Sequence, residues 1–322
     1  MVERNVRFGS KADICSAKRH VRFTPRKRTF APHQQAAINA LTISRMSNMV
    51  ADYSAFANME RGGWSDTARA SGYVELFASA SDQAINSLLD AAGAKLNCKA
   101  LDLCCGQGNV SEALLSRGCE VIGIDFSPAM LAFARRRAPN AAFIEGDAQD
   151  LPFDNAEFDI VVSNLGVCHV PDQPRTLAEA RRVLRAGGKF AMTVWCGPDT
   201  SPCFAAVYGA IKTHGHPDVS APLGPDFHQF SRRDVAEKLL SDAGFSNIDV
   251  TTVDCVWDLD APEDLFEIYA KGTVRAATLL NSQPPQNFAA IRSALASSVR
   301  AQFSNGNRWR VPVPAALVRA TA

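Results

Sequence analysis

Short apolar stretches alternate with amphipathic stretches of helical length through the middle of the chain. The apolar stretches have the length of strands, whereas the stretches between them repeat apolar positions every three or four residues. Such alternation is typical of parallel β–α units, and right-handed connections place the helices on both faces of one sheet. The pattern therefore predicts a doubly wound α/β fold. We expect strands at 99–105, 120–124, 142–144, 158–163 and 189–195, and helices at 110–116, 127–137 and 176–184.

Further elements are expected on either side of this core. Helical periodicity precedes the core at 73–92, and the alternation of strands and helices becomes less regular after Trp195. The elements expected after Trp195 are a helix at 202–213, a loop at 214–230, a helix from an N-cap at Ser231 to Ala243, a strand at 248–253, two or three helices within 262–302 and a closing strand at 309–318.

The composition is that of an ordinary globular protein. The chain has 322 residues, of which 47% are hydrophobic and 21% are charged, and one elaborated α/β domain can reach this size. No apolar run reaches the roughly 18 residues that a membrane-spanning helix needs, so we expect no membrane span.

The net charge of +1 conceals an asymmetry along the chain. Residues 1–30 hold nine Lys and Arg against two acidic residues, so this segment carries +7 and the rest of the chain carries −6. We interpret residues 1–45 as a basic, disordered extension, with an Arg-rich organellar presequence as the alternative. The acidic remainder argues against a specific nucleic-acid partner.

The cysteines and histidines give no metal or redox motif. The nine cysteines include no C-x-x-C pair, and buried thiols in a reducing cytoplasm are the simplest interpretation. His214 and His216 lack an evident third ligand, so we expect no metal site.

The most specific local feature is a strand that enters a glycine-rich turn at 100–108 (ALDLCCGQG). Gly106 and Gly108 would let the backbone approach a ligand at the carboxyl end of the first strand. The dinucleotide pattern G-x-G-x-x-G has Ser111 in place of its third glycine, and Asp102 would repel a pyrophosphate. The turn therefore favours a ligand that carries positive charge.

Polar residues also stand at the ends of the next three strands. Asp125 ends the second strand, where an acidic residue commonly accepts hydrogen bonds from ribose hydroxyls. Asp147 follows the third strand, where a carboxylate can accept from an adenine amino group, and Asn164 ends the fourth. The carboxyl ends of parallel strands converge, so these residues are expected to line one crevice. The alternative is that the aspartates satisfy turn amides or cap helices.

Five stretches of the chain together resemble a known family. They are LDLCCGQG, GIDFSPAML, GDAQDLPF, FDIVVSNLGVCHVPD and RRVLRAGGKFAMTVW. The chain resembles the class I S-adenosylmethionine-dependent methyltransferases, in particular the small-molecule group similar to ubiquinone and menaquinone biosynthesis enzymes, over about residues 50–320. The resemblance implies a cytoplasmic enzyme with a Rossmann-like, mostly parallel seven-stranded sheet, a helical insertion that forms the acceptor site, and S-adenosyl-L-methionine as cofactor.

The resemblance also implies a division of the chain and a set of site residues. The methyltransferase domain, 46–322, would comprise N-terminal helices at 46–97, a cofactor-binding core at 98–195 and acceptor-side helices and closing strands at 196–322. Cys105 replaces the glycine that is more usual before Gly106, and we expect its small side chain to be tolerated. Met130 could equally pack in the core. The implied cofactor-binding residues are Asp102, Gly106, Gln107, Gly108, Asp125, Phe126, Met130, Asp147, Ala148 and Asn164.

The chemistry expected from the resemblance is in-line displacement at a sulfonium methyl group, for which the protein mainly aligns the reactants. An acceptor that loses a proton needs a base, and His169 is the best-placed candidate, with simple packing beside the cofactor loop as the alternative. His228 is a weaker candidate for the acceptor pocket. We expect a small apolar or aromatic acceptor and a monomer or homodimer. The aromatic residues expected at the acceptor site are Trp64, Tyr73, Phe204, Tyr208, Phe227 and Phe230.

Two other functions share this fold. A non-catalytic methyltransferase-like binding module needs no catalytic residue. A nicotinamide-dependent oxidoreductase would use the same crevice, but the missing third glycine and Asp102 argue against it.

Overall fold

Residues 52–322, which the computed structural model describes, form a large and a small β-sheet. The strands are β1 (Lys99–Leu103), β2 (Glu120–Asp125), β3 (Ala142–Glu145), β4 (Phe158–Asn164), β5 (Leu184–Trp195), β6 (Ser246–Val253), β7 (Val256–Leu259), β8 (Ser304–Asn305), β9 (Arg308–Pro312) and β10 (Ala315–Thr321). The large sheet has the order β3-β2-β1-β4-β5-β10-β6. β10 runs antiparallel to β5 and β6, and the pairs from β3 to β5 are parallel. The predicted doubly wound, mostly parallel seven-stranded sheet is confirmed.

The central strands are apolar on both faces because helices cover both faces. Leu101 and Val161 are fully buried in one hydrophobic core, and Ala100 and Val162 are fully buried in the core on the opposite face. Burial on both sides is the reason that parallel strands read as continuous apolar runs.

Twelve α-helices lie within the described residues, together with one π-helical turn and several 3₁₀ turns. The predicted cap at Ser127 is confirmed, since its side chain accepts a hydrogen bond from the amide of Met130. The helices are α1 (Ser54–Ser65), α2 (Thr67–Gly72), α3 (Ala78–Ser81), α4 (Ile85–Ala91), α5 (Asn109–Ser116), α6 (Pro128–Arg137), α7 (Gln173–Val183), α8 (Pro202–His214), α9 (Arg233–Asp242), α10 (Asp264–Gly272), α11 (Arg275–Asn281) and α12 (Pro285–Gln302).

The predicted closing strand at 309–318 is wrong, because two strands occupy this segment. β9 joins β7 and β8 in a small antiparallel sheet, whereas β10 enters the large sheet. β9 ends at Pro312, and Val313 and Pro314 separate it from β10; proline lacks the amide that a continuous strand would donate.

The N-cap predicted at Ser231 is also wrong. The Ser231 hydroxyl donates to the carbonyl of His228 instead, within a 3₁₀ turn, and α9 begins at Arg233.

The helix predicted at 73–92 is part of a longer helical segment, Thr67 to Ala91, in which a π turn covers Tyr73–Phe77 and a 3₁₀ turn covers Asp82–Ala84. The preceding helix α1 was not predicted as a separate element.

No helix within residues 52–322 is long and apolar enough to cross a membrane. The predictions for residues 1–45 lie outside the described part of the chain.

Candidate functional site

A crevice of about 720 Å³ lies at the carboxyl ends of β1, β2 and β4. β1 and β4 are neighbours at the point where the strand order reverses, which is where open α/β sheets bind ligands. An adjoining cavity of about 500 Å³ is bordered by Asp147 and Ala148. The predicted site residues that line the crevice itself are Asp102, Gly106, Gln107, Asp125, Phe126, Met130, Asn164 and His169.

The glycine-rich turn brings backbone into the crevice. Cys104 and Gly106 both have left-handed backbone conformations, with φ of 57° and 52°. The amide of Gly106 donates to Oδ2 of Asp125 over 2.9 Å. A Cβ atom on Gly106 would meet no atom within 4 Å, so the glycine leaves open space for a ligand.

Gly108 has a different role, because it does not line the crevice. Its φ is 82°, and a Cβ atom there would lie 2.9 Å from the Cα of Ala134. The glycine therefore allows the beginning of α5 to pack closely against α6.

We expect Gly108→Ala to lower the free energy of unfolding by about 1–3 kcal/mol, because the added methyl group would overlap α6 in a strained conformation. Gly187→Ala is a matched control, since Gly187 has a φ of 77° and open space around its Cβ position. Denaturant unfolding of both variants isolates the contact with Ala134. Equal losses would show that this contact contributes nothing.

Asp102 lies beneath the turn with 1% of its surface exposed. Its Oδ2 accepts a 2.6 Å hydrogen bond from the Ser111 hydroxyl, whereas its Oδ1 is buried and has no partner among the described residues. Burial raises the pKa of Asp102 to about 7, although the Ser111 hydroxyl opposes the shift. A buried, unpartnered carboxylate oxygen is costly, and a cationic donor in the crevice would satisfy it.

Asp125 uses both carboxylate oxygens to hold backbone. Oδ2 accepts from the amide of Gly106 and Oδ1 from the amide of Ser127, each over 2.9 Å. Burial raises the pKa of Asp125, against the effect of these hydrogen bonds. Each oxygen keeps a second lone pair, so the carboxylate can still accept from ligand hydroxyls.

Asn164 is fixed at both ends of its amide. Its Nδ2 donates to the carbonyl of Ser81 over 3.1 Å, and its Oδ1 accepts from the Thr193 hydroxyl over 2.5 Å. The same hydroxyl accepts from the amide of Leu165. Asn164 therefore shapes the wall of the crevice at the end of β4.

Two further polar residues, which the sequence did not reveal, line the crevice. Nδ2 of Asn109 donates to Oδ1 of Asp82 over 2.5 Å, and Oδ1 of Asn109 is buried without a partner among residues 52–322. Burial raises the pKa of Asp82. Asn109 could have been found as the first residue of the helix after the glycine turn, but Asp82 comes from a helical segment with no recognisable motif.

Helix α1 covers one side of the crevice. The Ser127 hydroxyl donates to the carbonyl of Trp64 over 2.6 Å. The guanidinium of Arg61 lies 3.3 Å from Oδ2 of Asp147 and 5.2 Å from the centre of the Phe126 ring. Oδ1 of Asp147 accepts from the backbone and the side chain of Gln149. These contacts join α1 to the loops that follow β2 and β3.

A second cavity, the aromatic cavity, has a volume of about 900 Å³, space open to solvent included, and adjoins the crevice. Trp64, Tyr73, Leu165 and His169 line both spaces. Phe230, which was expected here, is instead fully buried in the core of the large sheet. The aromatic residues of the cavity are Trp64, Tyr73, Phe77, Trp195, Phe204, Tyr208, Phe227 and Tyr269.

His169 lies where the two spaces meet. Its Nδ1 is 2.9 Å from Oε2 of Glu60, a side chain of α1 that is 2% exposed, and Nε of Arg275 lies 3.1 Å from Oε1 of Glu60. Burial opposes the charge on the His169 ring, but Cys168 and Glu60 outweigh it and raise the pKa to about 10. Burial likewise opposes the charge on Glu60, yet His169 and Arg275 hold the pKa of that carboxyl below its usual value.

His228 lies behind the aromatic cavity and does not line it. Its Nδ1 is 2.9 Å from the carbonyl oxygen of Trp195, and its Nε2 is 2.9 Å from the Tyr208 hydroxyl. A carbonyl only accepts, so Nδ1 carries the proton and Nε2 accepts from Tyr208. Burial lowers the pKa of His228 and keeps the ring neutral. His228 therefore orients the hydroxyl of Tyr208, which does face the cavity.

Residues 52–322 contain no group of three or more side chains that could hold a metal ion, and their eight cysteines are free.

Several known methyltransferases are similar to this chain in sequence. A methyltransferase-domain family model matches residues 101–192. The demethylmenaquinone methyltransferase of Beutenbergia cavernae is 35% identical over 170 residues, which cover 50% of this chain and 70% of that protein. The enzyme of the same name from Renibacterium salmoninarum is 31% identical over 171 residues, which cover 50% and 72% of the two chains.

Solved structures agree at the level of the fold. A methyltransferase structure from Bacillus halodurans is 20% identical and covers 74% of this chain and 97% of its own, with a TM-score of 0.50. The YcgJ protein of Bacillus subtilis is 18% identical with the same coverage and TM-score.

The sheet order is that of a Rossmann-like methyltransferase fold. The chain belongs to the class I S-adenosylmethionine-dependent methyltransferases, in the group similar to menaquinone and ubiquinone biosynthesis enzymes. It is an enzyme, and S-adenosyl-L-methionine is its cofactor.

Proposed function

We propose that this enzyme methylates a small apolar or aromatic molecule that binds in the aromatic cavity, by in-line displacement. The observation that carries the proposal is the junction of the two spaces, at which four residues line both the crevice and the aromatic cavity. An acceptor in one space and the cofactor in the other would meet there, which supports catalysis by proximity and orientation.

The polar groups that line the crevice fit the cofactor. The unpartnered Oδ1 of Asp102 suits the ammonium group of the methionine part, and the free lone pairs of Asp125 suit the ribose hydroxyls. When bound, the cofactor supplies an electrophilic methyl group on a sulfonium. We assign the same role in binding to the rest of the predicted set, with Asp147 and Ala148 toward the adenine, and with Gly108 supporting the turn from behind.

The lining of the aromatic cavity, rather than the names of the relatives, supports this class of acceptor. The relatives are named for demethylmenaquinone, but the similarity covers about half of this chain. The cavity wall contains eight aromatic side chains and two charged ones, His169 and Arg275. Such a wall favours an apolar ring system and excludes water from the reacting atoms.

A transfer assay with methyl-labelled S-adenosylmethionine tests this proposal on the full chain. We expect label in the aromatic members of a panel that also contains aliphatic amines and a single-stranded oligonucleotide. Phe227→Leu should raise KM for an aromatic acceptor several-fold by removing part of the cavity wall, whereas Phe133→Leu, outside both spaces, should not. Transfer to the amines or the oligonucleotide alone would contradict the proposal.

We further propose that the enzyme acts in the cytoplasm, as a monomer or homodimer, on a free small molecule and without a specific nucleic-acid partner. The net charge of −6 on the chain after residue 30 supports the last point, because nucleic-acid binding favours basic surfaces. Electrophoretic retardation of an oligonucleotide at physiological salt would contradict it.

A further inference from the structure

Three charged side chains from distant parts of the chain meet beside the junction. Glu60 accepts from Nδ1 of His169 and from Nε1 of Trp64 through Oε2, both over 2.9 Å, and from Nε of Arg275 through Oε1 over 3.1 Å. Glu60 is buried, whereas His169 and Arg275 retain 20% and 23% exposure of their side chains. The carboxylate is therefore shared by two cations that line the aromatic cavity.

The contact with Glu60 determines which ring nitrogen of His169 faces the ligand. An ionised carboxylate only accepts hydrogen bonds, so Nδ1 carries a proton and points at Glu60. With Nδ1 directed at Glu60, Nε2 is the other ring nitrogen, and the ring lines both the crevice and the aromatic cavity. Nε2 is thus the ring atom available to an acceptor molecule.

Two backbone carbonyls hold the Arg275 guanidinium in place. Its Nη1 donates to the carbonyl of Pro225 over 3.1 Å and its Nη2 to the carbonyl of Cys168 over 3.3 Å. Its guanidinium also lies 4.2 Å from the Phe56 ring centre and 5.1 Å from that of Phe227.

Charge is distributed unevenly around the junction. The wall of the aromatic cavity carries His169 and Arg275, and their shared partner Glu60 does not line that cavity. Besides Glu60 and Arg275, other ionisable groups line a space together with His169, and Cys168 lies on its own turn. They are Tyr73, Asp82, Asp102, Cys104, Cys105 and Asp125 in the crevice, Arg61 and Asp147 in the adjoining cavity, and Tyr208 and Tyr269 in the aromatic cavity. Burial raises the pKa of Tyr73 to about 12, so that hydroxyl stays neutral. The raised pKa of His169 agrees with a protonated ring at neutral pH.

We propose that Glu60 is a positioning residue that holds His169 as an imidazolium, and that Nε2–H of His169 binds the anionic oxygen of a phenol- or enol-type acceptor. This inference rests on the proposed aromatic acceptor and adds its chemical class. The base predicted from the sequence would need a neutral His169 ring with a free lone pair, whereas this proposal has the ring protonated.

Atoms and charges balance in a methyl transfer to such an oxyanion. The acceptor hydroxyl gives its proton to solvent on binding, and the oxyanion accepts from Nε2–H. An electron pair of the oxygen, or of the conjugated ring carbon, then forms the new bond to the methyl carbon while the sulfur–methyl bond breaks. The negative charge of the acceptor and the positive charge of the sulfonium cancel, and transfer to carbon is completed by loss of the ring proton to solvent. The imidazolium is unchanged.

Ring titration by NMR tests the position of Glu60 without any acceptor. In the full chain with S-adenosylhomocysteine, we expect the wild-type His169 ring to titrate well above 6.5, the usual value. Glu60→Gln keeps the shape but removes the charge, and should lower that pKa by more than one unit. Glu75→Gln changes an exposed carboxyl and should leave it unaltered. A wild-type ring that titrates near 6.5, or an unchanged pKa in Glu60→Gln, would overturn the proposal.

Absorbance of bound 4-nitrophenol tests the acceptor class. We expect the wild-type protein with S-adenosylhomocysteine to bind 4-nitrophenol as its phenolate, so that the pKa of the bound phenol falls. The protein should bind 4-nitrophenol about tenfold more tightly than neutral 4-nitroanisole. His169→Ala should lose this preference, whereas His214→Ala should keep it. Equal binding of both probes to the wild type would refute the oxyanion site while leaving the apolar cavity intact. Binding of neither probe would refute the aromatic acceptor itself, and this inference with it.

Discussion

Asp102→Asn is expected to weaken binding of S-adenosylmethionine and S-adenosylhomocysteine by about 1.5–3 kcal/mol at pH 8, while making the ligand-free protein more stable. The buried Oδ1 of Asp102 lacks a partner until a cationic donor arrives, so its charge destabilises the empty site and stabilises the complex. The isosteric amide removes that charge, and its oxygen can still accept from Ser111.

The two effects of Asp102→Asn should depend on pH in a defined direction. The pKa of Asp102 rises from 3.8 to about 7 on folding, so the folded state binds more protons between these values. Its contribution to stability is therefore lost as pH rises through this window, and the variant should escape that loss. The gain in Tm should be clear at pH 8 and small at pH 5.

Calorimetric titration with S-adenosylmethionine in buffers of different ionisation enthalpy measures both the affinity and the number of protons released on binding. Near pH 6.5, wild-type binding should release protons as the cofactor's ammonium group ionises Asp102, and the variant should release fewer. Unchanged affinity together with unchanged proton release would show that Asp102 does not contact the cofactor.

Asp125→Ala is expected to weaken cofactor binding by about 1–3 kcal/mol and, separately, to destabilise the ligand-free protein by a similar amount. The binding loss follows from the removal of charge-assisted hydrogen bonds to the ribose. The stability loss follows because the amides of Gly106 and Ser127 both lose their acceptor.

Titration with S-adenosylhomocysteine and thermal unfolding separate these two effects. Asp218→Ala is a suitable control, because the Asp218 side chain is 90% exposed and lines neither cavity. Adenine alone should bind the Asp125 variant as it binds the wild type. Full affinity of the variant for S-adenosylhomocysteine would remove Asp125 from the ribose site.

Local signals predicted the core of this fold well. The strands β1 to β5 and the helices between them follow from apolar runs and helical periodicity, which depend on neighbouring residues only. The division of residues 309–318 between two sheets was missed, because pairing partners, not local pattern, decide which sheet a strand joins.

The same distinction applies to the crevice. Asp102, Gly106, Asp125 and Asn164 could be placed together from the sequence because each stands at the carboxyl end of a predicted strand, and parallel strands bring those ends to one edge. Gly108 was grouped with them by its motif, yet its close approach to Ala134 is visible only in the packing of two helices.

The sequence by itself determined the class of enzyme, the cofactor and the strand ends that would surround that cofactor. Only the tertiary structure decided the surroundings of His169. Glu60 lies 109 residues away from His169 in the chain, and Arg275 lies 215 residues from Glu60. No local pattern relates such residues. They meet because the packing of α1 and α11 over the sheet buries the Glu60 carboxylate between His169 and Arg275, and the contact of that carboxylate with Nδ1 directs the other ring nitrogen, Nε2, away from it.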